Sequence, residues 1–187
     1  MLNMTKILIA DDDRVVLFTL AEGLREAGFE VVEARDGLQA LELCRNAAPA
    51  LALLDIRMPG LDGLELACRL RDETKVPFLF FSAYGDEEFV RRAVKIGALG
   101  YLLKPLNIAA ILPSIRTALA RARDISGLEA ALESNRVIAT AVGMLMRAEG
   151  LDQAAAFERL RQQARSARRR LEDLAMTMVE SDRHTES

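Results

Sequence analysis

Four short apolar runs each lead into a residue able to act chemically, and this repetition constrains the fold more than any other feature. Ala50-Leu51-Ala52-Leu53-Leu54 leads into Asp55, with Ile56-Arg57-Met58-Pro59-Gly60 behind it. Ile7-Leu8-Ile9-Ala10 leads into Asp11-Asp12-Asp13. Ser82 and Lys104 stand in the same place after the runs 77–81 and 100–103. Runs this apolar read as strands buried on both faces. The residue at the end of such a strand sits at the carboxyl edge of the sheet, where open α/β folds bind their ligands. Carboxylates from two strand ends, with a hydroxyl and an ammonium from two others, describe a site for a divalent metal and a phosphoryl group.

A fifth strand pattern covers 29–34, and helical patterns fill the intervals at about 14–27, 37–46, 63–72 and 86–96, with another starting near Asn107. The breakers agree: Gly28 ends the first helix, Pro49 precedes the third strand and Gly97 ends the fourth helix. Strands alternating with helices imply a parallel sheet with right-handed crossovers. The expected fold is therefore α/β, a doubly wound five-stranded sheet in the order 2-1-3-4-5.

No strand pattern returns after Asn107. Ile111, Ile115, Leu119, Ala122, Ile125, Leu128 and Leu132 follow steps of three and four residues, the mark of one long helix with an apolar stripe. Such a stripe can pack on its own sheet. Its length argues that the distal part pairs with something else, a second subunit or the next domain. Gly127 weakens the helix in mid-stripe and is a candidate hinge. Three further helices are expected. Ile138, Ala141, Leu145 and Ala148 form the first stripe, stopped by Gly150. Asp152 caps the second helix, with Ala156, Phe157, Leu160 and Ala164 on its face. Ser166 is the candidate cap of the third, with Leu171, Leu174, Ala175 and Met178. The polar segment 181–187 is expected to be a flexible tail.

Composition narrows the function. Hydrophobic residues make up 51% of the 187, and with no Trp and 5% aromatics the core must be mostly aliphatic. Residues 1–120 carry a net charge of -3, and residues 121–187 carry 11 Arg, no Lys and 11 acids. Within that second part, Arg159, Arg161, Arg165, Arg168, Arg169 and Arg170 fall in a stretch with no acid between Glu158 and Glu172, a local basic patch. Its arginines are either a solvated helix face or a phosphate-binding surface. Cys44 and Cys68 lie inside helical patterns at a separation that matches no zinc or redox motif, so both read as small apolar core residues in a reducing compartment. His184 is the only histidine and lies in the tail, which argues against histidine acid–base catalysis and against a phosphohistidine donor role. No apolar run is long enough to span a membrane, and 1–6 lacks a signal-peptide core. A cytoplasmic protein is expected.

Asp11-Asp12, the segment Leu54-Asp55-Ile56-Arg57-Met58-Pro59-Gly60 with Asp62-Gly63 after it, Ser82-Ala83 and Lys104-Pro105 resemble the receiver domain of bacterial response regulators. The four motifs occur in order at the ends of strands one, three, four and five, and the resemblance covers about residues 4–120. Clustered carboxylates repel one another unless a cation is present, and Mg²⁺ prefers oxygen ligands. The resemblance implies that Asp12 and Asp55 ligate Mg²⁺, with Asp11 acting through water and the backbone carbonyl of Arg57 adding an oxygen. It implies that Asp55 takes a phosphoryl group from a sensor histidine kinase, that Lys104 offsets charge on it, and that Ser82 donates a hydrogen bond to it. It makes Tyr101 an aromatic switch and the peptide before Pro105 cis. Read without the family, Asp13 is an N-cap or a ligand, Ser82 a strand-end hydroxyl, Tyr101 an edge packing residue and Lys104 a solvated lysine. Arg57 and Tyr84 flank the expected phosphate entrance.

Arg136-Val137-Ile138, Ala141, Gly143-Met144-Leu145-Met146, Ala156-Phe157, Leu160-Arg161, Ala164, Leu171 and Ala175 resemble the ANTAR domain, the RNA-binding module of transcription antitermination regulators. Val142 stands where that family usually carries a lysine. The resemblance implies binding of structured RNA, terminator hairpins, with Arg136, Arg161 and Arg165 as contacts and Arg168, Arg169 and Arg170 as general electrostatics. The expected organisation is a receiver at 4–120, a helical linker at 121–128, an ANTAR domain at 129–180 and a tail at 181–187. The linker helix would pair two copies in a homodimer. Beyond phosphotransfer and autodephosphorylation at Asp55, no enzyme is expected. A receiver that controls DNA binding or protein docking is the alternative, with Gln162 and Gln163 available to read bases.

Overall fold

Each apolar run forms a strand: β1 Lys6–Ala10, β2 Glu30–Ala34, β3 Leu51–Asp55, β4 Phe78–Ser82 and β5 Tyr101–Leu103. The computed structural model describes residues 4–83, 87–105 and 107–185. Tyr84 and the expected start of the fourth helix at Asp86 lie outside these residues, as does the side chain of His184. The sheet is parallel throughout, in the order β2-β1-β3-β4-β5, as expected. β3 and β4 sit one residue further along than the apolar runs suggest. Asp55 pairs in register with Phe81, and Ser82 with Leu103, so both polar residues end their strands from within the ladder. A polar side chain at a sheet edge leaves its backbone free to pair.

Alternation sends successive strand residues to opposite faces. Leu8, Ala52, Leu54, Phe78 and Phe80 join one cluster with Ala40 and Leu41 from α2 (Gly37–Ala47), Leu66 from α3 (Gly63–Arg69) and Ala93 from α4 (Glu87–Lys95). Ile7, Ile9, Leu51, Leu53, Leu79 and Phe81 join the other, with Leu17, Leu20 and Leu24 from α1 (Arg14–Glu26) and Ile111, Ile115 and Leu119 from α5 (Ile108–Glu149). Every residue of β3 and β4 is buried. Burying a side chain of this size contributes roughly 1.5–3 kcal/mol, so the two central strands anchor the edge on which the acidic residues stand.

Local chemistry fixes the helix starts. Asp13 caps α1, its side chain accepting from the N–H groups of Val15 and Val16. Asp36 accepts from the Gln39 N–H at 2.8 Å while the Gln39 side chain accepts from the Arg35 N–H at 2.8 Å, a reciprocal cap on α2. Asp62 caps α3 through the Glu65 N–H at 2.8 Å. α3 continues as a π-helical turn, Leu70–Thr74.

The chain divides into two compact units between Asp124 and Ile125. In the second unit the C-terminal part of α5, α6 (Gln153–Ser166) and α7 (Leu171–Thr185) form a three-helix bundle around Ala141, Val142, Leu145, Ala156, Leu160 and Ala175. Asp152 caps α6 through the Ala155 N–H at 2.8 Å, as expected. Three expectations are corrected here. Ser166 is the last residue of α6, and caps nothing ahead of it, because the chain turns through 167–170 before α7 begins. α5 runs unbroken through Gly127, so linker and first bundle helix are one helix. α7 extends to Thr185, into the segment read as a tail. No helix among the described residues is long and apolar enough to cross a membrane.

Candidate functional site

Asp11 follows β1 directly, its N–H donating to the Ala34 carbonyl at 3.1 Å, which fixes its backbone to the neighbouring strand. Its side chain is fully buried, and Asp55, ending β3, is 6% exposed. Asp12 is exposed. Carboxylate oxygens of Asp11, Asp12 and Asp55 all lie within 4.8 Å of one another. Lys104 reaches the same point from the end of β5. Its N–H donates to the Ser82 carbonyl at 2.8 Å, and the peptide to Pro105 is cis, as expected. Its ammonium lies 2.7 Å from Asp11 Oδ2 and 3.0 Å from Asp55 Oδ1. The Phe81 ring lies beneath it, with its centroid 4.9 Å from Nζ. The sheet therefore brings Asp11, Asp12, Asp55 and Lys104 together, with the buried Ser82 ending the strand between β3 and β5.

Burial pushes the Asp11 carboxyl above its usual range and the charge of Asp55 adds to this, while the Lys104 hydrogen bond and the Asp13 N–H at 2.9 Å oppose it. For Lys104, burial alone would lower the pKa, but the hydrogen bonds and charges of Asp11 and Asp55 outweigh it, so the ammonium is held above its ordinary value. The site has more carboxylates than cations. Its donors are hard oxygens, the set that suits Mg²⁺ or a similar divalent ion. Asp13 turns away from this cluster to cap α1, which decides between its two readings.

Arg57 is exposed, and its N–H donates to Asp55 Oδ2 at 3.1 Å. Tyr101 is half-buried, with its ring 5.7 Å from Phe89, which in turn meets Phe80 at 5.5 Å. The steric role of Gly63 is not visible from the motif that contains it. A Cβ there would lie 2.0 Å from the backbone oxygen of Asp55, and the Gly63 N–H donates to the Ile56 carbonyl at 2.9 Å. Only glycine lets α3 start so close to the end of β3. A glycine directly after a helix-capping Asp is the available sequence signal. Cys44 is buried and its thiol is pushed up to about 12 by burial, and Cys68 is half-buried, consistent with packing roles.

In the second unit the arginines differ in their partners. Arg136 lies 4.0 Å from Glu133, Arg159 3.3 Å from Glu149 and Arg161 3.3 Å from Glu158. Arg170 pairs with Glu172, and Arg169 donates to the Asp173 carbonyl and the Thr177 hydroxyl. Arg165 and Arg168 are exposed and have no side-chain partner among the described residues. Between the end of α5 and the start of α6 lies an apolar cleft of about 560 Å³, lined by Asn135, Val142, Gly143, Met146, Gln153 and Phe157 among others. Val142 is buried in its wall, and Phe157 is 41% exposed. Periodicity alone did not reveal this cleft, because Phe157 read simply as part of the α6 core face and Val142 only as a departure from the family's lysine.

A family model of the response regulator receiver domain matches residues 7–116, and a model of the ANTAR domain matches residues 126–179. Transcriptional regulatory protein PdtaR of Mycobacterium tuberculosis is 33% identical over 184 residues, covering 94% of this chain and 90% of that protein. Transcriptional regulatory protein CseB of Streptomyces avermitilis is 39% identical over 127 residues, 68% of this chain and 54% of its own length. Among solved structures, chemotaxis protein CheY4 of Vibrio cholerae matches with a TM-score of 0.58 at 29% identity, covering 62% of this chain and 98% of that one. A CheY-like receiver domain protein from Methanospirillum hungatei matches with a TM-score of 0.61 at 28% identity, covering 65% and 98%.

Proposed function

The chain belongs to the response regulators, a receiver domain followed by an ANTAR domain, and on that premise we propose that phosphorylation of Asp55 controls its binding to hairpin RNA and so transcription antitermination. The observation that carries the reading is the Lys104 ammonium held between Asp11 and Asp55 at one sheet edge, in a chain whose other unit matches an RNA-binding module. An oxygen of Asp55 attacks the phosphorus of a phosphohistidine on a partner kinase. The P–N bond breaks, the imidazole leaves, and Asp55 becomes an acyl phosphate. Asp11, Asp12, Asp55 and the Arg57 carbonyl would hold Mg²⁺, which when bound would supply positive charge to offset that on the transferred phosphoryl group. Lys104 exchanges part of its pairing with Asp55 for a phosphoryl oxygen, and the Ser82 hydroxyl donates to another. Tyr101 reports the change by repacking beside Phe89. Beyond this transfer and the loss of its own phosphate, the protein is a regulator rather than an enzyme.

For the output, an apolar cleft flanked by the amides of Asn135 and Gln153 and the ring of Phe157 suits an unstacked loop base, the form in which RNA sequence is read. The exposed stripe Ile125, Leu128 and Leu132 suits a homodimer through the linker helix, which would let two hairpins bind at once. Such a regulator works in the cytoplasm. The test has two arms. Incubation with a small-molecule phosphodonor and Mg²⁺ should add one phosphoryl group to the wild type and none to Asp55→Ala, read by intact mass. Terminator-type stem-loop RNA should then compete with duplex DNA for the protein and win. Preferential retention of duplex DNA would replace RNA by DNA as the target.

A further inference from the structure

α6 ends in a turn where the backbone disfavours the side chain it carries, and we propose that Arg168, with Arg165, forms a clamp for an RNA phosphate. The proposal rests on the RNA-binding reading and gives it a specific contact. The Arg168 N–H donates to the Arg165 carbonyl at 3.1 Å, and the Arg169 N–H to the Ala164 carbonyl at 2.9 Å. This pattern closes a helix through a left-handed residue, most often glycine. Arg168 occupies that position with φ 53°. Gly28, Gly97 and Gly150 take the left-handed positions after α1, α4 and α5. Ala48 and Lys75 show that another residue is tolerated, so the backbone alone does not assign a role. The charge pattern does. The neighbouring Arg159, Arg161 and Arg170 are paired to acids and Arg169 is tied to α7, whereas Arg165 and Arg168 are exposed and have no side-chain partner among the described residues.

Two unpaired guanidinium groups three residues apart repel each other and offer two forks to one anion. A phosphate oxygen pair satisfies such forks bidentately. Their place on the helix fits a nucleotide chain. Phe157, Arg161 and Arg165 follow at i, i+4 and i+8, on one face of α6, and Arg168 lies just past its end. The face therefore runs from the aromatic edge of the cleft to the free arginines. A base seated at Phe157 leaves its backbone heading toward Arg165 and Arg168. The plain alternative is that both arginines only complement the negative end of the helix dipole.

The experiment uses the full chain, phosphorylated by a small-molecule donor with Mg²⁺, and a panel of terminator-type stem-loop RNAs. Wild type, Arg168→Gly, Arg168→Lys and Arg170→Ala are compared by RNA affinity across a KCl series and by thermal melting. Arg168→Gly should melt about 2–4 °C higher, because the left-handed turn no longer carries a Cβ. It should also bind roughly tenfold more weakly, with a salt slope reduced by about 0.7–0.9. Arg168→Lys should keep the wild-type slope and melting temperature. Arg170→Ala, whose partner is Glu172, should change the slope much less. Unchanged affinity and slope in Arg168→Gly, with RNA still bound by the wild type, overturns the clamp and leaves RNA binding standing. Equal losses in Arg168→Gly and Arg170→Ala also overturn it, in favour of diffuse charge. Absence of RNA binding by the wild type removes both readings.

Discussion

Lys104 offsets two buried carboxylates at once, and its removal leaves Asp11 and Asp55 facing each other without a cation. Lys104→Met should destabilise the metal-free protein by about 3 kcal/mol near neutral pH, read as a lower urea midpoint. The folded pKa of Lys104 is raised, so its contribution is fully present below the ordinary lysine value and is lost as pH rises through the folded value. The gap between wild type and Lys104→Met should therefore be largest around neutral pH, narrowing at strongly alkaline pH as Lys104 loses its proton and on acidification as the Asp11 carboxyl, whose pKa is raised, takes one up; a gap that does not change with pH would contradict the pairing. Gly63 supplies a second prediction. A Cβ in contact with the Asp55 carbonyl must displace α3 or the end of β3. Gly63→Ala should cost about 1–3 kcal/mol and slow phosphoryl uptake at Asp55, and a variant with wild-type stability would show that the helix start gives way freely. The meeting of Asp11, Asp12, Asp55 and Lys104 at one sheet edge was legible because each group follows an apolar run. Asp13 was readable as an N-cap or a ligand, and the N–H groups of Val15 and Val16 that point at it bear out the cap. Gly63 was hidden because steric exclusion depends on a strand far from its own helix pattern.

Among the elements, α5 is the one whose stripe serves two ends. Ile111, Ile115 and Leu119 are buried on the sheet, whereas Leu128 and Leu132 are 65% and 62% exposed. The stripe itself was plain in the sequence, and so was the expectation that its distal part needs a partner. Its continuity was less plain, because Gly127 was a candidate hinge, whereas only Gly150, read as the stop, adopts a left-handed φ, 67°, and ends the helix. Leu128→Lys should leave folding within about 0.5 kcal/mol, as for an exposed site, while shifting sedimentation toward monomer. An unchanged dimer would place the subunit contact elsewhere. Leu160, fully buried in the bundle, should behave oppositely. Leu160→Ala should cost about 2–5 kcal/mol, read in chemical denaturation, and reduce RNA affinity with it. The α6–α7 turn is where sequence reasoning went astray. With no glycine among 167–170, Ser166 resembled a cap, and Arg168 closed the helix in its place.

At the scale of the whole chain, the proposed function reduces to one regulatory idea: a charge placed on Asp55 alters what the arginine-bearing bundle binds. A ligand shifts such an equilibrium only through a difference in interaction between states, so the phosphoryl group must rearrange contacts already present at the site. The Lys104 pairs with Asp11 and Asp55 and the half-buried Tyr101 are the contacts available to rearrange. The family and both domain types were readable from motif order. The division of labour among the arginines was not, because sequence shows charge and not pairing. The most direct measurement is the affinity of the full chain for terminator-type stem-loop RNA, with and without phosphodonor and Mg²⁺, beside Asp55→Ala. The expected result is tight, salt-sensitive binding that rises at least severalfold on phosphorylation in the wild type and does not rise in Asp55→Ala. Equal affinity in all states, or none in any, would contradict control of RNA binding by Asp55.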